Sequence, residues 1–132
     1  MERSKEFQDF INKLPETGTP LIDWHKWFIQ NNFIINPFID VFPKTNELLI
    51  KYEYKNKKDN YKDYKIEIWI KSNTSVYYLR NKLKNYLEYK KKRNTALIIF
   101  KEEDKNIEQK NIMLFHIRIH HLGNIKDDIT VY

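Results

Sequence analysis

Cysteine is absent from the 132 residues, and with it every disulfide, thiolate metal ligand and cysteine nucleophile. Glycine occurs twice, at Gly18 and Gly123, so the chain has no glycine-rich loop to cradle a phosphate. Alanine occurs once, at Ala96. No apolar run approaches the roughly 20 residues of a membrane-spanning helix. The opening Met1-Glu2-Arg3-Ser4-Lys5-Glu6 lacks the apolar core of a secretory signal. A cytoplasmic protein with no membrane partner is the expectation. Serine, histidine and aspartate fall in no order that suggests a nucleophilic triad.

What is present is a hydrophobic fraction of 41% and an aromatic fraction of 15%, enough for a real core. The length suits one domain, 1–132, with residues 1–18 an N-terminal helix and turn and 19–132 the main body. The formal net charge is +6. The chain is rich in lysine, asparagine and isoleucine, the bias of an A/T-rich coding sequence, so the distribution of charge says more than its total. Residues 44–93 hold 15 of the 24 Lys/Arg and 6 of the 18 Asp/Glu, a net of +9 that leaves −3 for the remainder. Such a patch points to an anionic partner.

Hydrophobic periodicity divides the chain into elements. Ser4–Leu14 carries Phe7, Phe10, Ile11 and Leu14 at helical spacing and is closed by Pro15. Thr19-Pro20 reads as a helix cap followed by proline at the first helical position. Leu21, Trp24, Trp27 and Phe28 form the buried stripe of that helix, which runs to about Asn31. Phe33–Phe42 is apolar but interrupted by Pro37, and reads as a short edge strand or an irregular segment. Glu47–Tyr54 alternates, with Leu48, Ile50, Tyr52 and Tyr54 on one face and Glu47, Leu49, Lys51 and Glu53 on the other. A lysine-rich hairpin loop, Asn56–Asp63, follows.

Tyr64–Phe100 is the organising stretch and reads strand, helix, strand. Ile66, Ile68 and Ile70 alternate with Lys65, Glu67, Trp69 and Lys71. Ser72-Asn73-Thr74-Ser75 is a polar break able to cap a helix. Leu79, Leu83, Tyr86 and Leu87 then recur at helical spacing, and Lys90–Arg93 places cations where the helix dipole favours them. Ala96–Phe100 is apolar at consecutive positions, as in a strand covered on both faces. The expectation is a right-handed βαβ unit whose two strands are parallel neighbours. Lys101–Lys110 reads as a charged loop with room for a helical turn. Asn111–His120 reads as a long strand, Leu122–Asp128 as a turn, and Ile129–Tyr132 as a last antiparallel strand. The fold class is α/β, a mixed β-sheet with flanking helices in the order α-α-β-β-β-α-β-β-β, in two or three layers.

Ile66-Glu67-Ile68, Tyr86-Leu87, Ala96–Phe100 and the run from His121 to Asp127-Asp128-Ile129-Thr130 occur in an order that resembles the restriction-endonuclease-like, PD-(D/E)XK nuclease superfamily. The resemblance spans roughly residues 20–132. It implies hydrolysis of a phosphodiester with Mg²⁺ held by two carboxylates, here Glu47 and Glu67. The family's lysine two residues after the glutamate is Trp69 in this chain, whose indole has one donor and no useful basicity. Lys71, on the same strand face as Glu67, and Lys82, on the following helix, are the substitutes the resemblance offers. It therefore implies a degenerate domain that binds DNA or RNA or retains residual metal-dependent hydrolysis; a domain that works only as a homodimer, as many nucleases of this fold do, is a further option.

The residues also allow other readings. Glu47 and Glu67 suit solvated strand positions paired with Lys51 and Lys65. Trp69, with Tyr52 and Tyr54, suits either the core or a base-stacking platform among lysines. Lys55, Lys57, Lys58, Lys62, Arg80, Lys84 and Arg93 are the candidate phosphate contacts. His116 and His120 share a strand face but lie about 13 Å apart, too far to chelate one ion. Beside Arg118 they either face a phosphate or form a solvated strand surface. A function of a different class, a non-enzymatic module binding a protein partner, such as a phage inhibitor or a defence-complex subunit, fits the same chain.

Overall fold

The computed structural model describes residues 5–54, 64–92, 102–121 and 124–131. The elements are α1 (Lys5–Asn12), α2 (Leu21–Gln30), β1 (Phe33–Ile35), β2 (Asp40–Phe42), β3 (Glu47–Tyr54), β4 (Tyr64–Ser72), α3 (Val76–Lys92), α4 (Glu102–Asn111), β5 (Ile112–His121) and β6 (Asn124–Val131). Among the described residues they build one open α/β sheet in the order β1-β3-β4-β5-β6, with β2 also paired to β3, and every pairing is antiparallel.

Three expectations are corrected. A strand has two edges, and those of β4 are taken by β3 and β5. Both are antiparallel to it, in place of the expected parallel neighbour; the segment Ala96–Phe100 lies outside the described residues. Glu102–Asn111 is a helix rather than a loop, and residues 124–128, read as a turn, are already part of β6. The uncertain apolar stretch Phe33–Phe42 resolves into two short strands, both on β3.

The periodicities fix which face each element buries. Leu48, Ile50 and Tyr52 of β3, Ile66, Ile68 and Ile70 of β4, and Phe115, Ile117 and Ile119 of β5 form one buried sheet face. Phe10 of α1, Leu21, Trp24 and Phe28 of α2, and Val76, Leu79, Leu83 and Leu87 of α3 join them in a single cluster. The N-terminal helix thus belongs to the domain. Its Phe10 ring meets Tyr64 at 4.8 Å, edge to face, and Phe33 at 5.9 Å between centroids. The result is two layers, helices over one sheet face.

The start of α2 differs from expectation. Pro20, not Thr19, holds the cap position, and it offers no side-chain hydrogen bond. Glu108 of α4 does the capping instead. Its two carboxylate oxygens accept the N–H groups of Leu21 at 2.9 Å and Ile22 at 2.7 Å, two of the donors a helix start leaves without partners. Burial pushes the Glu108 carboxyl up from its ordinary value, the two N–H donors pull it down, and nearby Asp23 pushes it up further. Glu108→Ala is expected to destabilise the fold by about 1–3 kcal/mol, the range for leaving part-buried donors unmet. Urea unfolding measures it. Glu108→Gln, which keeps one acceptor oxygen, should lose less, and equal losses would show that the bonds contribute nothing.

Candidate nucleic-acid interface

Alternation along β3, β4 and β5 turns every second side chain away from the helices. The strand register sets these outward residues in rows. Asp40, Leu49, Trp69 and His116 make one row across β2 to β5. The next is Lys51, Glu67 and Arg118, with Asp128 of β6 the backbone partner of Arg118. Beyond it lie Glu53, Lys65 and His120, and at the opposite end Phe42, Glu47, Lys71 and Leu114.

Two features stand out on this face. The first is an aromatic row. The Trp69 ring lies between Phe42, 5.3 Å away and tilted by 30°, and His116, 6.3 Å away and parallel within 4°. The second is centred on Glu67, whose Oε1 is 2.9 Å from His120 Nε2 and 3.3 Å from Trp69 Nε1. The Glu67 and His120 side chains are 21% and 22% exposed, so solvent reaches both. The indole N–H, at the position the nuclease motif gives to lysine, is spent orienting the glutamate. Cations surround the pair: Lys51 and Arg118 flank Glu67 in register, and Lys65 faces His120. Lys51 is itself paired with Asp40 at 3.0 Å.

The metal arrangement inferred from the nuclease resemblance does not form. Glu47 lies opposite Lys71, and Glu67 opposite Lys51. The two carboxylates are thus four residues apart in register, about 13 Å along the strands, and cannot share a Mg²⁺ ion. Among the described residues no three His, Asp or Glu side chains gather closely enough to hold a metal. These residues do not fit the cofactor. Lys82 is exposed on α3, with its Nζ 5.5 Å from the Tyr78 ring. Because α3 packs through Leu79 and Leu83 on the buried face, the sheet stands between Lys82 and Glu67. Lys71 shares the face of Glu67, but its Nζ donates to the Thr45 carbonyl in the turn before β3. Tyr52 and Tyr54 point into the core, so they do not extend the platform of Trp69.

The candidate phosphate contacts divide. Arg80 and Lys84 lie with Lys82 on α3, a helix of six cations and one carboxylate. Tyr77 and Tyr78 are about half exposed there, with the Arg80 guanidinium 5.8 Å from the Tyr77 ring. This basic surface is on the helical layer, away from the aromatic row. Lys55, Lys57, Lys58, Lys62 and Arg93 lie outside the described residues. Sequence reasoning missed the pairing of Glu67 with His120, which is visible only once β4 and β5 are known to be neighbours.

Among the described residues no helix is long and apolar enough to cross a membrane. Comparison with family models, with curated proteins and with solved structures finds no match. The fold and the site define a class no finer than a two-layer α/β domain in which, among the described residues, the helices cover one sheet face and leave the other open.

Proposed function

We propose that the protein binds single-stranded nucleic acid across the open sheet face. The observation that carries this is the row Phe42–Trp69–His116, flat rings held side by side where a strand of bases stacks. Arg118 in the next row and Lys65 in the one beyond supply the attraction for phosphate. Binding accounts for Trp69 in the lysine position, since a ring there stacks where it cannot activate water. The reading keeps nucleic acid as partner and leaves out the two-carboxylate metal step.

Fluorescence anisotropy of a labelled mixed-sequence RNA strand tests it. Wild type should bind at low salt and weaken as salt is raised. Trp69→Ala should lose about 10- to 100-fold, the equivalent of about 1–3 kcal/mol for one stacked base. The double variant Arg80→Glu/Lys82→Glu should change affinity only modestly. If the helix variant abolishes binding and Trp69→Ala does not, the interface is α3. Absence of binding to any RNA or DNA strand favours the second reading, a protein-docking face. Its own support is the alternation of sign along Asp40, Lys51, Glu67 and Arg118, which suits a charged protein surface.

A further inference from the structure

We infer that Glu67 and His120 form a metal-independent acid–base pair that cleaves RNA bound on the open face. The inference rests on the binding reading and deepens it by naming RNA, rather than DNA, as substrate. It starts from the contact between Glu67 Oε1 and His120 Nε2, 2.9 Å apart and open to solvent. A carboxylate and an imidazole are the two side chains best suited to accept and return a proton near neutral pH. Glu67 already has Lys51 and Arg118 in register on either side. Charge balance alone asks for no third partner, yet His120 is turned onto it.

The groups around the pair fit a phosphodiester. Arg118 and Lys65 lie on the strand positions next to Glu67 and His120, where cations stabilise the charge that builds on a phosphorane. Trp69 fixes Glu67 through its N–H. Its backbone is two residues further along β4, about 6–7 Å, and its ring edge borders the carboxylate. A base can stack there while the adjoining phosphate meets the pair. The carboxylates in the neighbourhood, Glu53, Asp40 and the backbone position of Asp128, lie beyond the cations rather than between them and the pair.

The step needs no co-reactant. Glu67 takes the proton of the ribose 2′-hydroxyl, and the 2′-oxygen attacks the adjacent phosphorus. The bond from phosphorus to the 5′-oxygen breaks, and protonated His120 gives its proton to that oxygen. One P–O bond forms and one breaks, leaving a 2′,3′-cyclic phosphate and a 5′-hydroxyl. Entry of the phosphate replaces the direct Glu67–His120 contact with one from each side chain to the substrate. The 2′-hydroxyl is the nucleophile, so DNA is bound but not cut.

The test incubates the full chain with single-stranded RNA in EDTA and identifies the termini by mass spectrometry. Binding is measured separately on the 2′-O-methyl form of the same strand, which cannot react. Wild type should produce 2′,3′-cyclic phosphate ends. Glu67→Gln and His120→Gln should each slow cleavage by about 10²–10⁴-fold while 2′-O-methyl RNA binds within about twofold of wild type. Wild type that binds 2′-O-methyl RNA but leaves RNA intact overturns the catalytic inference and spares the binding reading. Cleavage that survives both substitutions overturns it too, and loss of binding itself overturns both.

Discussion

Trp24→Ala should lower the free energy of unfolding by about 3–5 kcal/mol, the largest single-residue loss expected in this fold. The side chain is wholly buried on α2 among the helix–sheet core residues, with its ring 6.0 Å from that of Phe28. Truncation to a methyl group opens a cavity that neither the helix nor the sheet behind it can close. A domain of this size has only about 5–15 kcal/mol in reserve, so the variant should unfold at much lower urea. Trp24→Phe separates packing from polarity. Among the described residues Trp24 Nε1 is buried with no hydrogen-bond partner, and an unmet buried donor costs about 1–3 kcal/mol. Phenylalanine removes that donor and keeps most of the apolar contact. Its net loss should be well under half that of alanine, and an equal loss would mean that packing at the indole's outer ring dominates.

The reach of the sequence is clearest in the strands. Period two in Glu47–Tyr54 and Lys65–Lys71 assigned each side chain to a face, and the faces hold in β3 and β4. Alternation reports what lies above and below a strand, but nothing about what lies beside it. Consecutive apolar residues predict a parallel neighbour for β4, yet the two strands described beside it, β3 and β5, are both antiparallel. The outward rows, and with them the contact of Glu67 to His120, follow from the β4–β5 register, so they were hidden with it. Glu108 was out of reach for another reason. Its helix has few apolar positions, with Ile107 partly buried against the core, and its job is to cap α2 from far away in sequence. No local pattern encodes a cap that comes from another element. The expected stripe of α2, Leu21, Trp24, Trp27 and Phe28, left out His25, which the structure buries, and included Trp27, which is only partly buried. Positions 21, 24, 25 and 28 are spaced i, i+3, i+4 and i+7, so the stripe that buries Leu21, Trp24 and Phe28 also buries the imidazole.

Mild acid should weaken the fold through that histidine. His25 is 2% exposed, and its Nδ1 lies 2.6 Å from the Tyr52 hydroxyl. Burial lowers the imidazole from 6.5 to about 4 and raises the Tyr52 hydroxyl far above its ordinary value. Both groups are therefore neutral, and a single hydrogen bond joins them. The unfolded chain takes up a proton near 6.5 and the folded chain only near 4, so between those values the unfolded state binds more protons. The contribution of His25 is fully present above 6.5 and declines as the pH falls towards 4, with a loss on the order of 2 kcal/mol by pH 5. Glu108 opposes this weakly, since a raised carboxyl favours the folded state as the pH falls. Urea midpoints at pH 7.5, 6 and 5 measure the balance for wild type and His25→Asn. Asparagine offers an amide oxygen to the Tyr52 hydroxyl and has no proton to gain, so the variant should be less stable at pH 7.5 yet lose little more by pH 5. If its midpoint falls in parallel with that of wild type, another group carries the acid sensitivity and the buried imidazole does not.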